Sequence, residues 1–409
     1  MLQALIRTAW LSLLAALLSA PLLAQSPDAV ATPPPNVPEF RAAFAGQTRA
    51  PEVLSGVDLK VEVVAAGLLH PWGLALLPDG AMLVSERAGR LRLIDAGGAL
   101  IADPITGLPD VLSNKQGGLL DIAAAPDFAA SGMVYWTYAK PVGAGLSATA
   151  AARGRLSADR RHLTEVMQIY EQSPASPSPA HFGSRIGFEA GGAVIITTGD
   201  HFTETERQFA QDLAKGHGKV VRLNPDGSVP DDNPYAGQAE VDSRIARVFT
   251  YGHRNVQGLH IDQATGAVWI VEHGPQGGDE LNLLKPGANY GWPVISYGEN
   301  YDGTPVGAGI TAAAGMEQPV YYWDPVIAPG DIVAYQGAMF PDWYGDFLIA
   351  SLNPGGIVRL EMRNGLVTGE ERMLTDQGRI RDVDVAADGA ILVLTDQDDG
   401  AVLRLTPAR

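Results

Sequence analysis

The segment from Tyr251 to Trp292 concentrates the polar side chains that could do chemistry. It begins YGHRNVQGLHI and ends VEHGPQGGDELNLLKPGANYGW, so arginine, asparagine, histidine and carboxylate residues are interspersed with glycines around two short predicted strands. Glycine-rich loops let a ligand approach the main chain closely. A guanidinium suits an anion, and backbone carbonyls with carboxylates suit a hard cation. The segment therefore predicts the floor of a site for an anionic organic cofactor and a cation, with calcium as the best match.

A histidine and an aspartate elsewhere in the chain form a candidate acid–base pair. His181 lies in HFGSR just before a predicted strand, and Asp200 follows that strand in TTGDHF. A neutral imidazole can accept a proton near physiological pH, and a carboxylate can orient it. The alternative is that His181 is a packing or surface histidine.

Two arginine clusters predict a ligand that carries several carboxylates. Arg254 and Asn255 lie together at a strand boundary, and Arg379 and Arg381 alternate in GRIRD, which puts both on one face of a strand. Basic residues are scarce, with 29 Lys and Arg against 46 Asp and Glu. The alternatives are an arginine that holds a loop against an aspartate, and a solvated strand face.

The loop from Gly274 to Glu280 is the candidate cation site. Pro275 has no N–H, so carbonyls here can point outward with few internal partners, and calcium takes such oxygen ligands. Glu280 and the carbonyl of Tyr290 could form a second cation site. The spacing of the acidic residues excludes an EF-hand, and the alternative is a plain turn with a solvated glutamate.

Further loop residues could contact a ligand. Gln116 in QGGL indicates a close backbone approach, and three loop aromatics could stack on a flat ring or a sugar, or pack between sheets: Tyr301, Trp292 and Trp323. The chain has no Walker A loop, GxGxxG fingerprint, GxSxG elbow or HExxH motif, which argues against nucleotide, serine-hydrolase and zinc-protease functions.

A repeated pair of apolar strands must position these loops. The pattern occurs at Gly73–Ile94, Asp121–Tyr138, Arg185–Thr198, Gly258–Glu272, Gly337–Leu360 and Asp382–Leu405. Six such units predict an all-β fold, a six-bladed β-propeller, because radial repetition leaves few free strand edges. The runner-up is a pair of β-sandwich domains.

The remaining segments indicate an exported protein. Residues 1–24 carry one charge, Arg7, and an apolar run, which predicts a signal peptide and a periplasmic location. Residues 25–56 are rich in Pro and Ala and are expected to form a tether, disordered or lying on the surface. Residues 57–409 are expected to form the propeller. No cysteine is present, so no disulfide forms. Leader removal would leave 28 basic against 46 acidic residues, which excludes nucleic acid and anionic membranes as partners. A monomer or a homodimer is expected.

Taken together, the motifs resemble a known family. QGGLLDI, HFGSRIGF, GHRNVQGL, EHGPQGGDELNLLKPGANYGWP, EQPVYYW and RIRDV occur in the order seen in the soluble, periplasmic dehydrogenases that use pyrroloquinoline quinone (PQQ), specifically the aldose sugar dehydrogenase type. The resemblance spans roughly Leu69 to Leu405. It implies oxidation of an aldose to its lactone, with PQQ and Ca²⁺ as cofactors and an external electron acceptor.

The resemblance also implies roles for individual residues. His181 matches the catalytic base and Asp200 its orienting partner. The carbonyls of Gly274 and Pro275 match the ligands of the calcium ion that touches the quinone. Glu280 and Tyr290 match the ligands of a second, structural calcium ion. Cofactor contacts are implied for Gln116, Arg254, Asn255, Tyr301, Ser351, Leu352, Asn353, Arg379 and Arg381.

One departure concerns the stretch Ala350-Ser351-Leu352-Asn353. Family members often carry a lysine there that helps to hold the cofactor, whereas Asn353 adds no charge. Loss of that ion pair would weaken PQQ binding by roughly 1–3 kcal/mol. Lys219 could supply a replacement charge. Two other functions are compatible with the fold: a calcium-dependent lactonase, and a non-catalytic propeller that binds glycans or proteins.

Overall fold

Six antiparallel sheets surround one axis in the computed structural model, which describes residues 28–238 and 242–408. Five sheets contain four strands, and the first contains three, extended by isolated bridges such as Ile94–Leu100. Each sheet is one blade of a β-propeller. The prediction of an all-β six-bladed propeller is confirmed, and the alternative of two sandwich domains is wrong.

The strands run in chain order around the axis. Their bounds are β1 (Leu59–Leu68), β2 (Pro71–Leu76), β3 (Met82–Glu86), β4 (Arg90–Ile94), β5 (Leu119–Ala124), β6 (Met133–Gly143), β7 (Leu146–Leu156), β8 (Leu163–Glu171), β9 (Gly183–Phe188), β10 (Val194–Thr198), β11 (Lys219–Leu223), β12 (Val248–Tyr251), β13 (Val256–Ile261), β14 (Val268–Glu272), β15 (Asp279–Leu283), β16 (Tyr321–Trp323), β17 (Pro329–Ala334), β18 (Phe347–Ser351), β19 (Ile357–Arg363), β20 (Leu366–Met373), β21 (Ile380–Val385), β22 (Ile391–Thr395) and β23 (Gly400–Pro407). The helices are α1 (Phe128–Ser131), α2 (Ser243–Ala246) and three 3₁₀ turns, Glu206–Gln211, Ala236–Gln238 and Pro341–Trp343.

The two ends of the propeller close on each other in blade six. Blades one to five contain β2–β4, β5–β8, β9–β12, β13–β16 and β17–β20, whereas blade six contains β21–β23 with β1 as its outer strand. Strand β1 pairs antiparallel with β23, from Leu59 opposite Pro407 to Leu68 opposite Gly400. This pairing removes the free edge that a linear row of blades would leave.

The core lies between neighbouring blades, where the period-two alternation of each strand supplies both faces. In β10, Val194 and Ile196 pack against blade two, while Ile195 packs against blade four. Six apolar clusters arise in this way, one for each pair of adjacent blades. The blades are therefore wedged around the axis by side chains buried on both faces.

The first strand of every blade lines the central channel. Strands β2, β5, β9, β13, β17 and β21 contact one another around the ring. Because they run in the same direction, the loops that precede them meet at one end, the channel mouth. Gln116, His181, Arg254 and Arg379 all lie in such loops, within three residues of a first strand.

An arginine closes the channel below this mouth. Arg185, the third residue of β9, bonds Asp121 at 3.0 Å and Asp382 at 2.9 Å, and these occupy the third positions of β5 and β21. Asp331, third in β17, lies 3.3 Å away. Beyond this ring the channel widens into an open cavity of about 310 Å³, which none of the predicted site residues line.

One predicted strand is wrong. The repeat pattern predicts a strand at the start of the unit Gly337–Leu360, but the first strand of blade five is Pro329–Ala334, and a 3₁₀ turn at Pro341–Trp343 follows. Phe340 and Trp343 stack with ring centroids 4.4 Å apart and are buried in the core. These residues are apolar because they lie in a loop that packs into the core, and not because they form a strand.

The described part of the Pro/Ala-rich segment lies on the outer edges of blades four and five. Asp324 accepts hydrogen bonds from the backbone N–H groups of Asn36 and Val37, and Gln47 is fully buried. The predicted leader, residues 1–24, lies outside the described residues. No helix within the described ranges is long and apolar enough to cross a membrane.

Candidate active site

The mouth of the channel contains a buried histidine–aspartate pair. His181 Nδ1 lies 2.7 Å from Asp200 Oδ1, and both side chains are buried. Burial and then the charge of Arg254 lower the pKa of His181, although Asp200 opposes this shift. Burial raises the pKa of Asp200, but His181 and Arg254 outweigh it, so Asp200 stays ionised. A neutral imidazole oriented by a carboxylate can take a proton at its free Nε2.

The backbone around His181 is held by two other predicted site residues. Gln116 Oε1 accepts the N–H of His181 at 2.8 Å, and Asn255 Oδ1 accepts the N–H of Gly183 at 3.0 Å. The loops meet so closely that a Cβ at Gly199 would lie 1.9 Å from the carbonyl oxygen of His181. Gln116 and Asn255 thus fix where the imidazole stands, in addition to any contact with a ligand.

Arg254 brings to the same mouth a positive charge that is not in direct contact with a carboxylate. Its side chain is buried, donates to the carbonyls of His273 at 3.1 Å and Gly274 at 2.5 Å, and lies over the ring of Trp292. Within the described residues it has no carboxylate within 4.0 Å. Nε2 of His273 is also buried without a partner. A buried guanidinium in these surroundings favours an anionic ligand.

Arg379 and Arg381 converge on one carboxylate, Asp396, as the predicted alternation requires. They bond Oδ2 of Asp396 at 3.1 and 2.7 Å, and Arg381 also bonds Gln257 at 2.6 Å. Burial lowers the pKa of Arg381 to about 10, even though Asp396 opposes this shift. Two cations share one anion, so a net positive charge remains for a ligand.

Asp396 and His70 are residues of this mouth that the sequence reasoning missed. His70 Nδ1 lies 3.0 Å from Asp396 Oδ1. His70 could have been predicted from its position, because it immediately precedes β2, as the other mouth residues precede β5, β9, β13 and β21. Asp396 follows β22 in a turn whose sequence shows no comparable signal.

The stretch from Ser351 to Asn353 forms part of the wall beside Arg379. The hydroxyl of Ser351 is fully buried and donates to the carbonyl of Ile327, so it serves the fold. The carbonyl of Leu352 accepts from Arg379 at 3.2 Å, and Asn353 is exposed.

Lys219 does not replace the missing family lysine. Its ammonium is buried and donates to the carbonyls of Phe209, Ala210 and His217 at 2.7 to 2.9 Å. Burial lowers the pKa of Lys219 to about 7. It stabilises the 209–217 loop, and the possibility that it supplies charge to a cofactor is wrong.

The loop that carries Gly274 and Pro275 is anchored by Asp279. One oxygen of Asp279 accepts the N–H of Gly274 at 2.8 Å, and the other accepts those of Ile327 and Ala328 at 2.8 and 2.6 Å. The carbonyl of Ile327 in turn binds Ser351. One carboxylate therefore joins the predicted calcium loop to the wall formed by residues 351–353.

A small cavity of about 10 Å³ lies behind this loop. Its lining includes Glu272, Gly274, Pro275, Glu280 and Tyr290. Burial, reinforced by Glu272, raises the pKa of Glu280 to about 8, as expected for a carboxylate that has no cation beside it. No group of three or more His, Cys, Asp or Glu side chains suited to a metal occurs among the described residues. A cation here would take backbone carbonyls for most of its ligands, as calcium does.

The three predicted aromatics take different positions. Trp292 Nε1 donates to Asp200 at 2.8 Å and so belongs to the site. Tyr301 is 61% exposed, and its ring lies 6.1 Å from that of Phe202. Trp323 is buried on the outer strand β16 and donates to Glu370, so it is a packing residue.

Comparisons with known proteins agree on one family. The family model described as Glucose / Sorbosone dehydrogenase matches residues 68–404. Aldose sugar dehydrogenase YliI of Escherichia coli is 40% identical over 353 residues, which cover 85% of this chain and 93% of that protein. Quinoprotein glucose dehydrogenase B of Acinetobacter calcoaceticus is 26% identical over 426 residues, covering 83% and 87%.

Solved structures give the same result. The apo form of the soluble aldose sugar dehydrogenase of Escherichia coli superimposes with a TM-score of 0.81 at 40% identity, covering 86% of this chain and all of that one. The PQQ-bound aldose sugar dehydrogenase of Streptomyces coelicolor superimposes with a TM-score of 0.69 at 27% identity, covering 85% and 99%.

Proposed function

Because the chain belongs to the glucose/sorbosone dehydrogenase family, we propose that this sugar-oxidising oxidoreductase converts aldoses to lactones at C1, with PQQ as the oxidant, Ca²⁺ as a Lewis acid and His181 as the base. The observation that carries the proposal is the His181–Asp200 pair beside the buried guanidinium of Arg254, which has no carboxylate within 4.0 Å in the part of the chain that the structure describes. A base and a fixed cation at one mouth suit a reaction in which a hydroxyl loses its proton against an anionic cofactor.

The residues present fit PQQ, a tricarboxylic quinone. Within the described residues, Arg254 has no carboxylate within 4.0 Å, and Arg379 and Arg381 both bond Asp396, so three guanidiniums have one carboxylate in direct contact. Nε of Arg381 is buried without a partner as well. Arg254, Arg379 and Arg381 would hold the carboxylates, and Gln116, Asn255 and Tyr301 would line the ring.

The residues also fit calcium. The carbonyls of Gly274 and Pro275 would hold the ion beside the quinone, for which the guanidinium of Arg254 would have to leave the Gly274 carbonyl that it bonds at 2.5 Å. Glu280 with the carbonyl of Tyr290 would hold a second, structural ion. The raised pKa of Glu280 supports this assignment, because a neighbouring cation would relieve the cost of ionising a buried carboxylate.

The protein's part in the reaction is to bind, orient and move a proton. Nε2 of His181 removes the proton of the C1 hydroxyl, while Asp200 holds the imidazole through Nδ1 and stabilises the imidazolium that forms. The hydride of C1 leaves with its electron pair, and C1 becomes the lactone carbonyl. When bound, PQQ supplies the two-electron acceptor for this hydride, and Ca²⁺ increases its electrophilicity. An external acceptor then removes the electrons.

One mixing experiment tests the proposal. Purified protein would be incubated with Ca²⁺ and PQQ, then given an aldose and an artificial dye. Dye reduction that depends on both additions supports the dehydrogenase. Lactone hydrolysis without PQQ would instead indicate a lactonase. No activity in either assay would indicate a non-catalytic propeller that binds glycans or proteins.

Export to the periplasm forms a separate part of the proposal. The basis is the leader-like composition of residues 1–24, which carry a single charge ahead of small residues. Expression of the full chain in a Gram-negative host, followed by N-terminal sequencing of periplasmic protein, would reveal a start near residue 25. Retention of Met1 in the cytoplasmic fraction would contradict export.

A further inference from the structure

Two exposed aromatic rings lie at the channel mouth, and one of them, Phe202, contacts His181. Phe202 is 48% exposed, and its ring lies edge-on to the His181 imidazole at a centroid distance of 4.9 Å. Tyr301, 61% exposed, lies beside Phe202, with ring centroids 6.1 Å apart and an interplanar angle of 44°. Rings this close are in contact with each other, so the two form one apolar surface and no sugar fits between them.

The backbone under Phe202 is in a conformation that a phenylalanine rarely adopts. Its φ is +70°, and that of the preceding His201 is +59°, both in the left-handed region that favours glycine. The N–H of Phe202 donates to Asp200 Oδ1 at 2.8 Å, the oxygen that also contacts His181. The catalytic carboxylate therefore sets the position of this ring relative to the base.

This arrangement does not serve stability. The ring is half exposed, so its burial contributes only part of what a core phenylalanine would, and the left-handed backbone costs free energy. An exposed apolar ring held in a strained conformation next to a catalytic base has a functional explanation instead: it contacts what the base acts on.

We propose that Phe202, with Tyr301 beside it, is the platform on which the aldose ring lies, and that Phe202 determines affinity for the sugar. This rests on the proposed function, since the C1 hydroxyl must reach Nε2 of His181. A pyranose presents a face of C–H groups that packs on an aromatic ring, while its hydroxyls remain free for polar contacts. With Phe202 4.9 Å from the imidazole, a sugar on this ring has C1 within reach of the base.

The test compares Phe202→Ala with Phe202→Tyr and with Tyr344→Ala. The alanine variant keeps the N–H that binds Asp200, and the tyrosine variant keeps the ring. Tyr344 is 66% exposed and follows the 3₁₀ turn at the opposite end of blade five, so it controls for loss of an exposed aromatic. KM and kcat for the aldose would be measured at saturating PQQ and Ca²⁺, together with the PQQ dissociation constant.

We expect Phe202→Ala to raise KM about tenfold or more, with kcat within about threefold and PQQ affinity unchanged. Phe202→Tyr and Tyr344→Ala should keep the KM of the wild type. An unchanged KM in Phe202→Ala overturns the proposal, as does a loss of PQQ affinity without a change in KM, which would assign the ring to the cofactor. A wild type that oxidises no aldose refutes the proposed function, and calorimetric titration with the sugar then tests the platform by itself.

Discussion

The indole N–H of Trp292 donates a 2.8 Å hydrogen bond to Oδ2 of Asp200. The other oxygen of this carboxylate contacts Nδ1 of His181, and the indole ring also lies beneath the guanidinium of Arg254. Trp292 thus joins the acid–base pair to the residues proposed to bind the cofactor. A disturbance at either part of the mouth is expected to reach the other through this contact.

Replacing Trp292 with Phe removes that donor and keeps most of the ring. We expect the buried Oδ2 of Asp200 to lose about 1–3 kcal/mol of stabilisation, which lowers kcat by roughly ten- to a hundredfold while the PQQ dissociation constant changes little. Steady-state kinetics with a PQQ titration provides the measurement. If Trp292→Phe keeps the kcat of the wild type, the hydrogen bond has no part in orienting the pair.

The variant His181→Gln tests the base directly. Because glutamine cannot take the proton of the C1 hydroxyl, kcat should fall by roughly 10²–10⁴ with PQQ still bound. His162→Gln is the matched control, since the side chain of His162 is half exposed and its nearest carboxylate, Asp159, lies 3.8 Å away. Near wild-type turnover in His181→Gln, with PQQ bound, would show that another group is the base.

The pH dependence should report the environment of His181. Burial and Arg254 lower its pKa below the ordinary 6.5, so the acid limb of kcat/KM in the wild type should lie below pH 6.5. Asp200 opposes that shift, so Asp200→Asn should lower the pKa further and move the limb to more acidic pH, while kcat falls at least about tenfold. A limb that moves to higher pH would contradict this assignment.

The carboxylate of Asp279 should control calcium retention. In Asp279→Asn, the amide N–H₂ must face either the N–H of Gly274 or those of Ile327 and Ala328, donor against donor. At about 1–3 kcal/mol for a lost buried partner, calcium and PQQ should bind roughly ten- to a hundredfold more weakly. Calorimetric titration at a temperature well below the melting point separates this effect from lower stability, and unchanged affinities would refute the anchoring role.

Glu280 predicts how stability depends on pH and calcium. Its folded pKa of about 8 lies above its ordinary 4.5, so the native state binds the extra proton between these values, and the free energy of unfolding should fall as pH rises through this range. Asp279, with its pKa raised to about 7, adds to the slope below pH 7.

Bound calcium should oppose that loss by favouring the ionised carboxylate. Melting curves from pH 5 to 8, with calcium and with a chelator, would measure the effect. In Glu280→Gln the slope between pH 7 and 8 should flatten and the calcium effect should shrink. A calcium effect in Glu280→Gln equal to that of the wild type would place the ion elsewhere.

The strands of the blades and most residues of the channel mouth could be predicted from local sequence. A strand can be recognised because alternate side chains face opposite sides. In β10, Val194 and Ile196 pack against one neighbouring blade and Ile195 packs against the other. The mouth residues precede first strands, and a propeller brings those loops together whatever their distance along the chain. Gln116, His181, Arg254 and Arg379 could therefore be predicted to meet. The strand predicted at Gly337 was wrong because buried aromatic residues of a loop are as apolar as the residues of a strand.

What the sequence alone determined was the type of protein: its fold, its motif order and the residue types at the mouth, because these depend on local periodicity and spacing. Tertiary structure decided which partner each side chain has. It joined Asp200 to Trp292 and Phe202, attached Arg379 and Arg381 to Asp396, bonded Lys219 to carbonyls of the preceding 209–217 loop, and anchored Gly274 through Asp279. The contact of Asp200 with Trp292 joins loops of two blades, so it depends on how the blades pack around the axis. The other pairings lie within one blade or one loop, and they depend on backbone paths that residue types and spacing do not specify.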